Sequence, residues 1–241
     1  MNKPLVSPLH HFYRTSSQPC PYLDGSIERK IITELGGPTP QALYNDLSRA
    51  GFRRSHQLAY RPACPTCTSC VPVRVDVARF IAGRSVKRLA AQNADLTAET
   101  VEACGTVEQF RLFTRYQLAR HAESDMANMG FSDYRAMIED SPVATGLLTL
   151  RDRAGRLVGV CLTDELDDGA SAVYSFYDPA QPKRSLGTWL VVELIARAAR
   201  MDRPYVYLGY WIAGSRKMAY KTRFQPLEAL GAAGWAPFDA G

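Results

Sequence analysis

The chain has 241 residues, 46% of them hydrophobic and 22% charged, with a formal net charge of +5. That is enough to bury a core without cross-links, and too apolar for wholesale disorder. No apolar run approaches the ~20 residues of a bilayer-crossing helix, and MNKPLVSPLHHFYRT lacks the apolar segment and cleavage site of a secretory leader. The expectation is a cytoplasmic protein with no membrane partner.

In chain order, His10–Thr15 reads as a short strand and Ser16–Asp24 as a loop. A strand is expected from Lys30, ended by Gly36-Gly37-Pro38. Thr39 before Pro40 marks a helix start, and Gly51 closes that helix after the stripe Leu43, Leu47, Ala50. Phe52–Arg61 reads as one strand, Pro62–Cys70 as a cysteine loop, and Val71–Val77 as a half-buried strand. Ser85–Ala91 is a short cationic helix and Leu96–Val101 a strand. Thr106 and Gln109 have capping-box spacing ahead of a helix that runs to about His121. Ser132 is placed to cap a second helix, Tyr134–Glu139. Pro142–Leu150 and Arg156–Asp164 make a hairpin around Asp152–Gly155.

The stretch Ser171–Phe224 organises the rest. A strand, Val173–Tyr177, is broken by Asp178-Pro179; a basic turn, Lys183–Thr188, leads into a helix, Thr188–Met201; a second strand follows, Tyr205–Leu208; then a cationic helix, Arg216–Arg223. Leu227–Gly241 reads as a tail that packs through Leu230, Trp235 and Phe238. The expected fold class is α+β. A smaller N-terminal α/β domain (1–80) carries the cysteine loop, and a C-terminal domain (81–241) is built on a mixed sheet.

Charge is concentrated. From Lys183 to Arg223 there are nine Lys or Arg and only two acids, Glu193 and Asp202, a balance that suits a polyanion or a solvated basic face. The turn Arg184, Ser185, Gly187, Thr188 precedes a helix, where backbone N–H groups attract phosphate; a plain capped turn is the alternative. Arg216 with Tyr220, and Lys217 with Lys221, share helix faces by spacing, which suggests phosphate contacts beside a stacking ring; Arg223 extends the set. Cys64-x2-Cys67-x2-Cys70, with Cys20 as a fourth thiol, has the ligand count for zinc or an iron–sulfur cluster; thiols without metal are the alternative. His121, ahead of Glu123 and Asp125, is either a base or a packing residue at a helix end.

Six strings together carry a resemblance: FYRTSSQPCPYLDG, FRRSHQLAYRPACPTCTSCVPVRV, YQLARHAESDM, YSFYDP, RSLGTWLVVELI and YVYLGYWIAGSRKMAYKTRF. They look like those of the bacterial aminoacyl-tRNA–protein transferases, the leucyl-transferring branch above all. The resemblance implies a GNAT-like (acyl-CoA N-acyltransferase) mixed-sheet C-terminal domain. It implies aminoacyl-tRNA, as leucyl-tRNA, for donor, and proteins with N-terminal Asp or Glu for acceptors, which are thereby marked for degradation. It maps the family's cysteines onto Cys20, Cys64, Cys67 and Cys70 and requires no cofactor for the transfer itself. An arginyl donor, acetyl-CoA chemistry on the same fold, and a non-catalytic RNA-binding or redox module are the alternatives.

On that reading His121 or Asp125 relays the proton, and the splayed end of Val173–Tyr177 supplies oxyanion donors. Tyr174, Phe176 and Trp211 line a slot for the leucyl side chain. Arg184, Arg216, Lys217, Lys221 and Arg223 hold the acceptor stem. Arg14, Arg53, Arg54, Arg74 and Arg88 are candidates for reading the acidic residue, because a carboxylate is best met by a bidentate guanidinium.

Overall fold

Leu157–Leu166 is apolar with little alternation, the pattern of a strand covered on both faces. The computed structural model, which describes residues 10–215 and 217–239, sets this strand inside an eight-stranded sheet. In chain order the elements are β1 (Tyr13–Arg14), β2 (Gln18–Pro19), β3 (Ile27–Glu28), β4 (Lys30–Glu34), α1 (Pro40–Arg49), β5 (Arg53–Ser55), β6 (Leu58–Pro62), β7 (Val71–Asp76), α2 (Arg84–Gln92) and β8 (Thr97–Glu102). Then come α3 (Val107–Arg120), α4 (Phe131–Glu139), β9 (Thr145–Arg151), β10 (Leu157–Leu166), β11 (Gly169–Tyr177), α5 (Leu186–Arg200), β12 (Tyr205–Trp211), β13 (Leu227–Gly231) and β14 (Gly234–Phe238).

The large sheet runs β14-β13-β7-β12-β11-β10-β9-β8, and a smaller one runs β1-β4-β6-β5. Within the large sheet only β11 and β12 pair in parallel. A parallel pair needs a crossover, and α5 supplies it. The helix lays Leu186, Leu190, Leu194 and Ile195 against Val158, Val206 and Leu208 on one sheet face. On the other face α3 and α4 bring Leu112, Phe113, Tyr134 and Ile138 to Val160, Leu162 and Phe176. The chain is thus α+β with a mixed sheet between two helical layers, as the sequence suggests. A third core, Leu35, Tyr44, Leu47, Ala59, Val143, Leu166 and Tyr207, joins the two sheets.

Several local expectations hold in detail. The Gln109 N–H donates to Thr106 Oγ1 at 3.2 Å and the Thr106 N–H donates to Gln109 Oε1 at 3.0 Å, a reciprocal cap for α3. Others are corrected. Phe52–Arg61 is two strands, because His56 takes φ 51° and reverses the chain between β5 and β6. Helix α4 starts at Phe131, and Asp133, not Ser132, accepts the Gly130 N–H at 2.9 Å. The tail is a hairpin, with β13 paired to β14 and to β7. The segment read as a cationic helix is a turn and a short 3-10 helix, Ala219–Arg223. The expected boundary at residue 80 cuts near the large sheet: β7, on its N-terminal side, lies between β12 and β13.

Candidate active-site crevice

Strands β11 and β12 pair only from Gly169–Ser171 to Tyr205–Tyr207. Beyond that, β11 stays with β10 as far as Tyr177, and β12 stays with β7 as far as Trp211. The two strands part, and a crevice opens between backbone edges that no third strand covers among the described residues. Such edges need partners when they are removed from water.

Two cations meet that need. Arg53, on β5, donates through Nη2 to the carbonyl oxygens of Ala172 (2.6 Å) and Val173 (2.8 Å) on β11. Lys221, in the 3-10 helix, donates to the carbonyl of Tyr210 on β12. Gly209 makes room for the guanidinium: it has φ +74°, and a Cβ there would stand 1.8 Å from Arg53 Nη1. Lys221 is only 5% exposed. Burial first, then the neighbouring Arg53 charge, draws its pKa down to about 7.

Tyrosines cluster around Arg53. Tyr60 and Tyr210 lie 6.4 Å apart by ring centroid, and Tyr210 Oη donates to Gly51 O at 2.9 Å. Further along, Tyr177 packs 4.9 Å from Tyr116, and Tyr116 meets the His121 ring at 5.5 Å. His121 caps the C-terminus of α3 through its own N–H, which donates to Gln117 O at 2.7 Å. Burial, then Lys217, then Arg120 lower its pKa, so the imidazole is neutral at pH 7. Lys217 is exposed at this rim. Rings, a neutral imidazole and the cations Arg53, Lys221 and Lys217 suit an anionic, base-bearing ligand.

Other predicted residues sit elsewhere. Phe176 is fully buried, edge-on to Phe113 at 5.5 Å, and is part of the core. Tyr174 accepts a hydrogen bond from Gln117 Nε2 at 2.7 Å on the α3 side of the sheet. Trp211 packs on Phe238 at 5.0 Å, away from both, so the three do not form one slot. Asp125 is exposed in a 3-10 turn, Asp125–Asn128. Arg184 is taken up by Asp95 through bonds of 2.9 and 2.8 Å. Gly187 is needed by packing, since a Cβ there would stand 2.6 Å from Tyr177 Cε1. Ser185, exposed with φ 47°, precedes α5, and Thr188 is half-buried in its first turn. Lys217 and Lys221 do not share a face, because Lys217 lies exposed in the turn ahead of the 3-10 helix and Lys221 lies buried within it. Tyr220 is half-buried against Phe224 at 6.2 Å, Arg223 is exposed, and Arg216 lies outside the described residues.

Among the acid-reading candidates, Arg54 is held by Asp164 through bonds of 2.8 and 2.7 Å, with side chains 1% and 0% exposed. Arg74 is held by Glu228 at 2.8 Å and lies over the rings of Tyr205 and Trp235 at 3.4 and 4.3 Å. Arg14 and Arg88 are exposed, Arg88 on the side of α2 away from Val86 and Leu89. Arg53 has no carboxylate partner among the described residues. Sequence reading missed the capping roles of Arg53 and Lys221; Gly209 in a strand, a sign of close backbone approach, was the available signal.

Cys20, Cys64, Cys67 and Cys70 are half-buried free thiols. Burial, then Cys64, Cys20 and Cys67, push Cys70 up to about 11, so the four lie within electrostatic reach of one another. The Cys67 thiol is lowered by bonds to Ser69, whose Oγ lies at 3.3 Å. Cys64 Sγ donates to Arg29 O at 3.7 Å. Among the described residues no three ligating side chains converge on one point. The thiol chemistry suits zinc or an iron–sulfur cluster, while this side-chain arrangement is not a closed ligand set. Cys64, Cys67 and Cys70 edge a groove of about 810 Å³ that also runs along Ala229–Gly234. Among the described residues no helix is long and apolar enough to cross a membrane.

Residues 18–88 match the family model for the arginine-tRNA-protein transferase N terminus, and residues 108–231 match that for its C terminus. The chain is 55% identical over 231 residues to an aspartate/glutamate leucyltransferase of Rhodospirillum rubrum, covering 95% of this chain and 94% of that one. It is 54% identical over 238 residues to the protein of that name in Paramagnetospirillum magneticum, covering 99% and 97%. Among solved structures it is similar to L-PGS from Bacillus licheniformis, with TM-score 0.47, 14% identity, and coverage of 76% of this chain and 54% of that one. With both family models matched in order along one sheet and its neighbouring cysteine loop, the chain belongs to the arginine-tRNA-protein transferase family.

Proposed function

We propose that this protein is an aminoacyltransferase that moves leucine from leucyl-tRNA to the α-amine of proteins beginning with Asp or Glu, leaving a destabilising N-terminus. The observation that carries this reading is the identity of 54–55% to aspartate/glutamate leucyltransferases along nearly the whole chain, both strands of the crevice included.

The reaction is aminolysis of an ester. The amine nitrogen forms a bond to the leucyl carbonyl carbon, the bond to the ribose oxygen breaks, and the proton lost by nitrogen ends on that oxygen. The ester supplies the driving force, so no cofactor is needed. An α-amine titrates near 7.7–8.0, so a useful share is already neutral at pH 7. Holding amine and ester together in the crevice then lowers the barrier more than a strong base would. His121, neutral at this pH, takes the proton from the attacking nitrogen. The tRNA lies over the exposed cations Lys183, Lys217 and Arg223, with its terminal bases against the tyrosine wall. The cytoplasm is where charged tRNA and new acceptors meet.

A second reading, an arginyl donor, is favoured by the family description alone. Purified protein offered labelled leucyl- and arginyl-tRNA with peptides starting Asp, Glu, Lys and Ala decides between them. The expected result is leucine on Asp and Glu peptides only. Label from arginyl-tRNA, or none from leucyl-tRNA, overturns the proposal.

A further inference from the structure

Resting on the leucyl-transfer reading above, we propose that Arg53 is the acceptor-specificity residue: its guanidinium, where β11 and β12 part, receives the side-chain carboxylate of the incoming N-terminal residue. Of the five candidate arginines, few have a charge to spare. Arg54 and Arg74 already hold Asp164 and Glu228. Arg14 and Arg88 sit on outer surfaces. Arg53 alone among these five stands in the crevice, and its partners there are carbonyl oxygens, which offset a buried cation only in part.

The surroundings keep that charge uncompensated. After burial itself, the groups that act most on Arg53 are the phenols of Tyr60, Tyr44, Tyr210 and Tyr220, and no carboxylate is among them. Its bonds to β11 use Nη2 and its Nη1 lies against Gly209, while Nε has no hydrogen-bond acceptor among the described residues. Gly209 lets the guanidinium rest on the β12 backbone, and the next residue, Tyr210, carries the Lys221 ammonium on its carbonyl. Two cationic heads therefore lie one residue apart along the same strand. A carboxylate entering there meets a planar fork that is already fixed, so little side-chain entropy is lost on binding. The main chain of Ala172 and Val173 fixes the same guanidinium to the edge where the amine must approach its ester. An Asn or Gln side chain has the shape of the acid but not its charge, so it fits without the gain.

The test is kcat/KM for leucyl transfer to an Asp-start and an Asn-start peptide, with leucyl-tRNA as donor, for wild type, Arg53→Lys and Arg53→Gln. Each Asp/Asn ratio is taken on one preparation, so any loss of folded protein cancels. The ratio should fall by about 100-fold in Arg53→Gln, with most of the loss on the Asp peptide, and by about 10-fold in Arg53→Lys. A wild-type ratio retained in Arg53→Gln overturns the assignment. If Arg53→Gln transfers to neither peptide, Arg53→Lys decides, and an unchanged ratio there overturns it too. Failure of the wild type to transfer leucine to any peptide defeats the leucyl-transfer reading itself, a distinct result.

Discussion

Arg53 and Arg54 are neighbours on one short strand, and they teach opposite lessons. Alternation sends Arg54 to a seam between the two sheets, where Asp164 holds its Nε and Nη2 and Thr145 Oγ1 donates to the same carboxylate at 2.9 Å. It sends Arg53 to the crevice, where no acid meets it among the described residues. The seam has every charge answered and does structural work. The crevice keeps a cation in want of an anion, which is what a binding site for one requires. Residue type is the same in the two places, and Arg53 is the less buried of the two; the presence or absence of the counter-charge separates them.

The comparison breaks most visibly at the seam. Asp164→Ala leaves Arg54 buried without a partner and should cost about 3–5 kcal/mol, read by urea unfolding at pH 7. The Asp/Asn acceptor ratio of whatever remains folded should not change, and a shifted ratio would tie the seam to recognition.

Lys221 sharpens the crevice side through pH. Its proton is held to near 10.5 in the unfolded chain and released near 7 in the folded one. Between those values the unfolded chain binds more protons, so this residue makes stability rise with pH by about 1.4 kcal/mol per unit. Below pH 7 both states keep the proton and the dependence vanishes. Lys221→Met should remove that slope, compared with wild type by unfolding at pH 6, 8 and 9. Equal slopes in the two proteins would mean Lys221 titrates normally.

His121→Gln should slow single-turnover transfer at pH 7 by about tenfold, less than general-base catalysis commonly gives, because the amine is already partly neutral. The deficit should shrink at pH 9. A deficit constant with pH would make His121 a packing residue on Tyr116. The smallest effect belongs to the rim. Lys217→Ala should reduce the salt slope of leucyl-tRNA affinity by about 1 and let His121 hold its proton to a higher pH, since a repelling cation is gone. An unaltered slope would remove Lys217 from the tRNA path.

Much of the frame was legible because its signals are local. The Thr106–Gln109 cap, the stripe of α5 and the hairpin at Asp152–Gly155 each depend on residues a few positions apart. The insertion of β7 between β12 and β13 was not, since its partners lie more than a hundred residues on and no short-range pattern encodes them. The same limit hid the site. Gly187 looked like a phosphate turn, but its neighbour is the Tyr177 ring. Lys217 and Lys221 looked alike by spacing, but a turn followed by a short 3-10 helix in place of one α-helix leaves the first in solvent and the second inside. Arg53, Arg54 and Arg74 were equal candidates in the sequence because only tertiary structure says which of them meets an acid.

The most direct test sets Arg53→Lys beside Arg54→Lys in one leucyl-transfer assay, reading the Asp/Asn acceptor ratio and the melting temperature of each. The first should show a reduced ratio at near-normal melting temperature, and the second a wild-type ratio at reduced melting temperature. The reverse pattern, or a ratio that moves equally in both, would contradict the assignment of Arg53.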